Sequence, residues 1–364
     1  MSRSAIATIH LGALRENLRR IRALAPQSRV MAVVKADGYG HGLERVARAL
    51  AGADAFGVAS IADGQRLRAA GVAHRIVVLS GIDEAGDLPE VRRLDLDIVV
   101  HHQAQLELIA ADRDLRPLRI WLKLDTGMHR LGIAPERAKA VYHALLALPQ
   151  VAREIVLMSH FSSSDEYENA KTPAQLVRFQ IATDALPSAR SIANSAAIIG
   201  YRETRLDWMR VGGLLYGLSV VEGQCGADFG FHPAMSLSSK LIAINRVGKG
   251  EFVGYGETWQ CPEEMNIGVI AMGYGDGYPR SAPAGTAVLL NGRRAGIVGR
   301  VSMDLMTIDL RAHTDARIND RVLLWGPELP VELLASAAAT ISYELTCGVT
   351  RRVMFLEDDT AQAK

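Results

Sequence analysis

Lys35 stands where an apolar run, Val30 to Val34, meets the glycine-rich stretch Ala36 to Gly42. The run is β-branched and bounded by breakers, so it reads as a buried strand, and Leu43 to Leu50 beyond it carries helical spacing. Lys35 is thereby set at the C-terminal end of a strand, in a loop that leads to a helix. Most lysines are solvated surface cations. One that follows four apolar residues is expected to be partly buried, which lowers its pKa from about 10.4 and frees an amine for imine chemistry. Carbonyl or pyridoxal phosphate chemistry suits such a position. Other polar residues recur at strand ends: Lys123 and Asp125 close the run Arg119 to Leu124, and His160 follows Ile155 to Met158. Asn194 and Ser195 close a run that begins at Ser191, and Arg210 lies in Trp208 to Val211. Alone, His160 reads as a core histidine and Arg210 as a surface cation. Gathered at the strand ends of one sheet, these groups read as one site.

Positioning them requires parallel strands. From residue 30 to about residue 215, eight short β-rich runs alternate with helical stretches. Besides those above, the runs are Phe56 to Ala59, Ile76 to Leu79, Ile98 to Val100 and Ser191 to Asn194. The helical stretches include Gln103 to Ala111, Pro135 to Leu148 and Pro173 to Leu186. This alternation predicts right-handed crossovers, and closure into a (β/α)8 barrel gathers the strand ends at one mouth. A doubly wound open sheet satisfies the same pattern if one of the last two runs is not a strand. Past about residue 230 the runs Leu237 to Val247, Asn266 to Met272 and Thr286 to Leu290 have glycine-rich joints and little helical spacing. Asn291-Gly292 is a two-residue hairpin signal, and one helix is expected around Glu332 to Thr340. The expected organisation is a barrel over residues 8–230 and a mostly β domain over 231–364, with residues 1–7 pairing with the β domain.

Composition narrows the function. With 364 residues, about half of them apolar, the chain can bury a large core. A net charge of +1 and no basic block argue against nucleic acid. Three cysteines without close metal spacing read as reduced thiols, with no metal site. No apolar leader or spanning segment is seen, so a cytoplasmic protein without membrane partners is expected.

Specific motifs then carry a resemblance over essentially the whole chain: AVVKADGYGHG, LKLDTGMHRLG, SHFSSSDE, NSA, MRVGGLLYG, GYGDGYPR and GRVSMD. The sequence resembles the alanine racemases, pyridoxal 5'-phosphate enzymes built from a barrel and a β domain. The resemblance implies that Lys35 bonds the cofactor and that Tyr274, the tyrosine of GYGDG, is a second base. It also implies that Tyr274 arrives from the other subunit of a head-to-tail homodimer with shared active sites. Two bases suit racemisation, because the Cα proton leaves one face and another must reach the opposite face. Read alone, Tyr274 fits an ordinary buried or rim tyrosine equally well.

By the same resemblance Arg210 faces the pyridine nitrogen and contacts His160. An arginine keeps its proton and so leaves that nitrogen largely unprotonated. The phosphate calls for neutral donors and backbone amides, for which Tyr39, Ser195, Gly212, Gly213 and Tyr343 are the candidates. Val211 and Gly213 depart from the family's usual proline and larger residue there. Arg130 and the backbone of Met303 are the expected contacts of the substrate carboxylate. Lys123, carbamylated in some relatives, is expected to position Arg130. Asp165 and Arg300 are candidates for the access channel, with surface ion pairing an equal reading, and Asp304 is expected to steady the Met303 loop. The substrate implied is alanine, and D-alanine would serve peptidoglycan or begin D-alanine breakdown. A broad or serine-preferring racemase, a decarboxylase of the same fold type and a non-catalytic cofactor carrier are the alternatives.

Overall fold

The structure is a computed structural model that describes residues 4–221 and 223–360. The first strand, β1 (Ile6–His10), belongs to the C-terminal sheet, and the chain then turns directly into the helix Leu11–Leu24. Eight parallel strands follow: β2 (Arg29–Val33), β3 (Ala55–Val58), β4 (Arg75–Val78), β5 (Leu96–Val100), β6 (Leu118–Lys123), β7 (Val151–Met158), β8 (Arg190–Ser191) and β9 (Trp208–Val211). They close into a barrel in chain order, β9 pairing with β2. These strands are nearly continuous runs of buried residues, as expected of parallel strands packed on both faces.

The seventh barrel strand is shorter than the run Ser191 to Asn194 suggests. Only Arg190 and Ser191 pair. Asn194 instead caps the helix Ser195–Gly200, its side chain accepting from the Ala197 amide at 3.0 Å. The helices expected at Gln103–Ala111 and near Pro135 and Pro173 form as Gln103–Ala111, Ala138–Ala147 and Lys171–Thr183.

The barrel interior is plugged by aromatic packing and one buried charge network. Trp121 and Trp208 meet edge to face at 5.3 Å within a cluster that includes Met31, Val77, Val99 and Val156. The fully buried Asp97 accepts from Trp121 Nε1 at 2.9 Å and from Arg75 and Arg119 at 2.5 Å each. A carboxylate so buried is tolerated only with its charge and lone pairs matched, as here.

The C-terminal strands are β10 (Met235–Val247), β11 (Met265–Ile270), β12 (Ala287–Leu290), β13 (Arg293–Val298), β14 (Met306–Asp309), β15 (Arg321–Trp325) and β16 (Met354–Asp358). With β1 they form a sheet in the order β11-β14-β13-β12-β15-β10-β1-β16, and β10 also pairs with β11. Asn291 and Gly292 both have positive φ, 47° and 81°, as the β12–β13 hairpin requires. Pairing of β1 extends to His10, whose Nδ1 lies 3.0 Å from Asp358 and whose Nε2 lies 2.8 Å from Ser236 Oγ. The trio has the connectivity of a hydrolytic triad, but Ser236 is buried in a central strand, so the link stitches β1, β10 and β16 together. The expected late helix forms as Val331–Ala337, and a further helix, Ser342–Cys347, packs against the barrel mouth beside residue 40.

Candidate active site

The loop after β2 is the least ordinary backbone in the molecule. Ala36, Asp37, Gly38 and Tyr39 all adopt left-handed conformations with φ between 53° and 63°, followed by Gly40 at 80°. Left-handed non-glycine residues cost about 1–2 kcal/mol each, so such a run survives only where surroundings hold it. The run is closed by the hydrogen bonds Gly38 N to Val34 O (2.8 Å), Gly40 N to Ala36 O (3.0 Å) and Gly42 N to Asp37 O (2.8 Å). Gly40 meets the β domain closely enough that a Cβ there would strike Thr346 O at 2.0 Å.

The run carries Lys35 at its start and Tyr39 at its end. Lys35 emerges at the mouth, more open than the four apolar residues before it. The strand ends at Val33, so the burial pattern does not continue to residue 35. Its ammonium is nonetheless held below its ordinary value by partial loss of solvent and by Arg130. Tyr39 is buried against Tyr216 at 4.7 Å and Tyr343 at 5.5 Å between ring centres. Burial raises the pKa of all three phenols, so each stays a neutral donor.

Two of those phenols, Tyr39 and Tyr343, converge on the turn after β9. A Cβ at residue 212 would lie 2.5 Å from Tyr39 Oη, and one at residue 213 would lie 2.3 Å from Tyr343 Oη. Only Gly212 and Gly213 leave that space open. Ser195 Oγ is buried beside them and accepts from the Gly212 amide at 3.0 Å. The Gly212 amide is therefore committed to Ser195, which leaves the serine proton to donate. Two phenols and a serine around a space free of Cβ atoms fit a phosphate group held by neutral donors.

The other wall is cationic. Arg210 is buried, donates to Ser191 Oγ at 2.7 Å and to the Ser159 carbonyl, and lies 3.2 Å from His160 Nδ1. Burial lowers its pKa to about 10, which leaves it protonated at neutral pH. The His160 pKa is lowered by burial and by Arg210, Lys123, Arg130 and Lys35, which fixes a neutral imidazole. Lys123 is buried and lowered to about 8 by burial and then by Arg210, Arg130 and Lys35, with Asp125 acting oppositely. Asp125 itself is engaged by the amides of Gly127, Met128 and His129 at 3.0 to 3.1 Å. The mouth thus holds clustered positive charge and suits an anionic substrate.

Tyr274, Met303, Arg300 and Asp304 lie elsewhere, on the β domain. Tyr274 opens a short 3-10 turn, its amide bonded to Ser302 O at 3.0 Å, while Gly275 N donates to Met303 O at 2.9 Å. Arg352 ties the group together through Asp304 and, at 3.3 Å, Asp276. Tyr274 and Met303 are 39% and 52% exposed, large values for apolar groups in adjoining loops. Among the described residues no hydrogen bond, ion pair or ring contact joins Tyr274 or Met303 to Lys35 or Arg210. Arg130 and Asp165 are exposed on the barrel side.

Sequence reasoning missed Ser191, which fixes Arg210, Tyr216, which backs Tyr39, and His41, buried beneath the left-handed run. His41 and Tyr216 lie inside recognised motifs and Ser191 begins the seventh barrel run, but none has a side chain whose type alone announces its role.

The sequence model for the alanine racemase N-terminal domain matches residues 9–220 and that for the C-terminal domain matches residues 234–356. An alanine racemase of Shewanella baltica is 48% identical over 347 residues, spanning 95% of this chain and 97% of its own. One from Shewanella loihica is 47% identical over the same shares. The crystal structure of a biosynthetic alanine racemase from Pseudomonas aeruginosa superposes with a TM-score of 0.95 at 42% identity, covering 98% of this chain and all of that one. Alanine racemase from Acinetobacter baumannii superposes at 0.92 with 33% identity and the same coverage.

Proposed function

The chain belongs to the alanine racemase family, and from that membership we propose that it interconverts L- and D-alanine with pyridoxal 5'-phosphate bound through Lys35. The observation that carries this reading is the pairing of a free Lys35 amine with the cradle of Tyr39, Tyr343, Ser195 and the two glycines on one side and the buried Arg210 on the other. When bound, the cofactor supplies an electron sink that acidifies the Cα proton of an amino acid. Lys35, its pKa lowered, takes or returns that proton on one face. Tyr274, contributed by the second subunit of a homodimer, serves the other face. Arg210 would hold the ring nitrogen of the cofactor and, keeping its own protons, would pass none to it, which would moderate the acidification and limit side reactions. Arg130 and the Met303 backbone receive the carboxylate. Lys123 supports Arg130, and its pKa of about 8 leaves enough free amine near neutral pH to take up carbon dioxide as a carbamate. Asp165 and Arg300 border the access channel, and Asp304 steadies the Met303 loop through Arg352.

The product serves peptidoglycan synthesis or D-alanine breakdown in the cytoplasm. Chiral chromatography of loaded protein given L-alanine or L-serine tests the substrate. D-alanine forms faster than D-serine, whereas predominant D-serine favours the serine-preferring reading. Tyr274→Phe is expected to lower kcat by about 100-fold, in the range of a lost general acid or base. Unchanged racemisation in that variant removes Tyr274 as second base.

A further inference from the structure

Lys35 and Tyr39 depend on a left-handed run that short-range preference disfavours, so something must keep it in register. Beneath the run lies His41, with no solvent exposure. Its Nδ1 is 3.1 Å from Gly38 O and 2.9 Å from Tyr39 O. Both partners are carbonyl oxygens, so Nδ1 bears the proton and donates to the two. Its ring packs at 4.7 Å on Tyr216, which in turn stacks on Tyr39 at 4.7 Å. Tyr216 Oη donates to Val33 O at 3.0 Å, at the strand end that precedes Lys35. Imidazole and phenol together therefore hold both ends of the segment that bears Lys35 and Tyr39. Nε2 has no protein partner among the described residues, and the ring borders a cavity of about 10 Å3 shared with Trp325 and Thr346. The side-chain hydrogen bonds of His41 both go to the run.

We propose that His41 is a positioning residue of the active site: as an Nδ1–H donor to Gly38 and Tyr39 it locks the left-handed run, and through it sets Lys35 and the Tyr39 hydroxyl for cofactor binding. A residue that only filled core volume would be replaceable by any ring of similar size. A donor at the Nδ1 position is replaceable by asparagine, whose amide nitrogen sits at a comparable reach, and not by glutamine, whose amide reaches the Nε2 position. The inference builds on the proposed cofactor chemistry but is tested first without it.

Hydrogen exchange read by mass spectrometry on the peptide spanning residues 35–42, in protein without added cofactor, compares wild type with His41→Phe, His41→Asn and His41→Gln. Exchange at the amides of residues 38, 40 and 42 is expected to quicken by about tenfold or more in the phenylalanine and glutamine variants and to stay near wild type in the asparagine variant. Pyridoxal 5'-phosphate titration, followed by absorbance, is expected to show Kd raised by about tenfold in the same two variants, with asparagine restoring it. Wild-type exchange in His41→Phe, or equal behaviour of the asparagine and glutamine variants, overturns the proposal. If the phenylalanine variant does not fold, the asparagine and glutamine pair decides alone. Failure of wild type to bind the cofactor counts against the functional reading, while the exchange data still decide the role of His41.

Discussion

Burial keeps the histidines and the phenols of this site neutral beside its cations. Burial lowers the His41 pKa from 6.5 to about 4, with Arg45 and His10 acting in the same direction and the carbonyls of Tyr39 and Gly38 opposing. The unfolded chain therefore binds a proton at His41 that the folded chain refuses between those values. Stability contributed by neutral His41 is present above pH 6.5 and is lost as pH falls toward 4, a change on the order of 3 kcal/mol. Urea unfolding at pH 7 and pH 4.5 is expected to show that loss, with a smaller slope in His41→Asn. The buried His160 has the same sign, so some slope remains in the variant. Among single residues, those with unusual types at strand ends were legible in the sequence: Lys35, Lys123, His160, Ser195 and Arg210 all lie at the mouth. His41, Tyr216 and Ser191 were not, because their importance lies in what they touch, which neither type nor spacing reveals.

At the scale of elements, the site depends on where the chain leaves its strands. The turn after β9 is open only because Gly212 and Gly213 lack Cβ atoms. Gly213→Ala is expected to displace Tyr343 and raise the Kd for pyridoxal 5'-phosphate by about tenfold, with the thermal midpoint changed little, since the clashes are with a phenol end and one Val220 methyl. Titration of the folded variant checks this. At the barrel centre, Asp97→Asn leaves Arg75 and Arg119 without their shared buried anion. A loss of about 3–5 kcal/mol in urea unfolding is expected for breaking that buried set. The eight barrel strands were legible as short apolar runs, although β7 is longer and β8 shorter than its run, and the Asn291-Gly292 hairpin and the helix near Glu332 were legible too. The left-handed run was not, since a stretch with glycines at 38, 40 and 42 signals only a loop, and its form depends on His41 and Tyr216. Strand β8 was overestimated because Ile192 and Ala193 are buried but lie outside its ladder, with the Arg210 amide bonded to Ala193 O at 3.1 Å before the chain reaches the Asn194 cap. Strands β14 and β16 escaped notice because they are short and poorly buried, β14 half-exposed at every second residue and β16 exposed or half-exposed throughout.

For the whole molecule, the barrel and the β domain are joined by β1, by the Ser219 amide to Glu332 at 2.6 Å and by Arg45 to Glu357 at 2.8 Å. Yet the barrel carries Lys35 and Arg210, while Tyr274 and Met303 stand exposed on the β domain with no contact to them among the described residues. A homodimer in which each site borrows Tyr274 accounts for that division. Mixing Lys35→Ala with Tyr274→Phe subunits after reversible dissociation is then expected to restore about one quarter of wild-type activity, since half the dimers are mixed and each has one intact site. No restoration would mean that Lys35 and Tyr274 of one site come from the same chain. The two-base account itself is met most directly by a single incubation: the protein loaded with pyridoxal 5'-phosphate, given L-alanine in deuterated water, with products separated by chirality and weighed. The account predicts D-alanine that carries deuterium at Cα from the earliest turnovers, because the proton delivered to the second face comes from a solvent-exchanged base. D-alanine that retains its original proton, or no D-alanine with the cofactor bound, would contradict it.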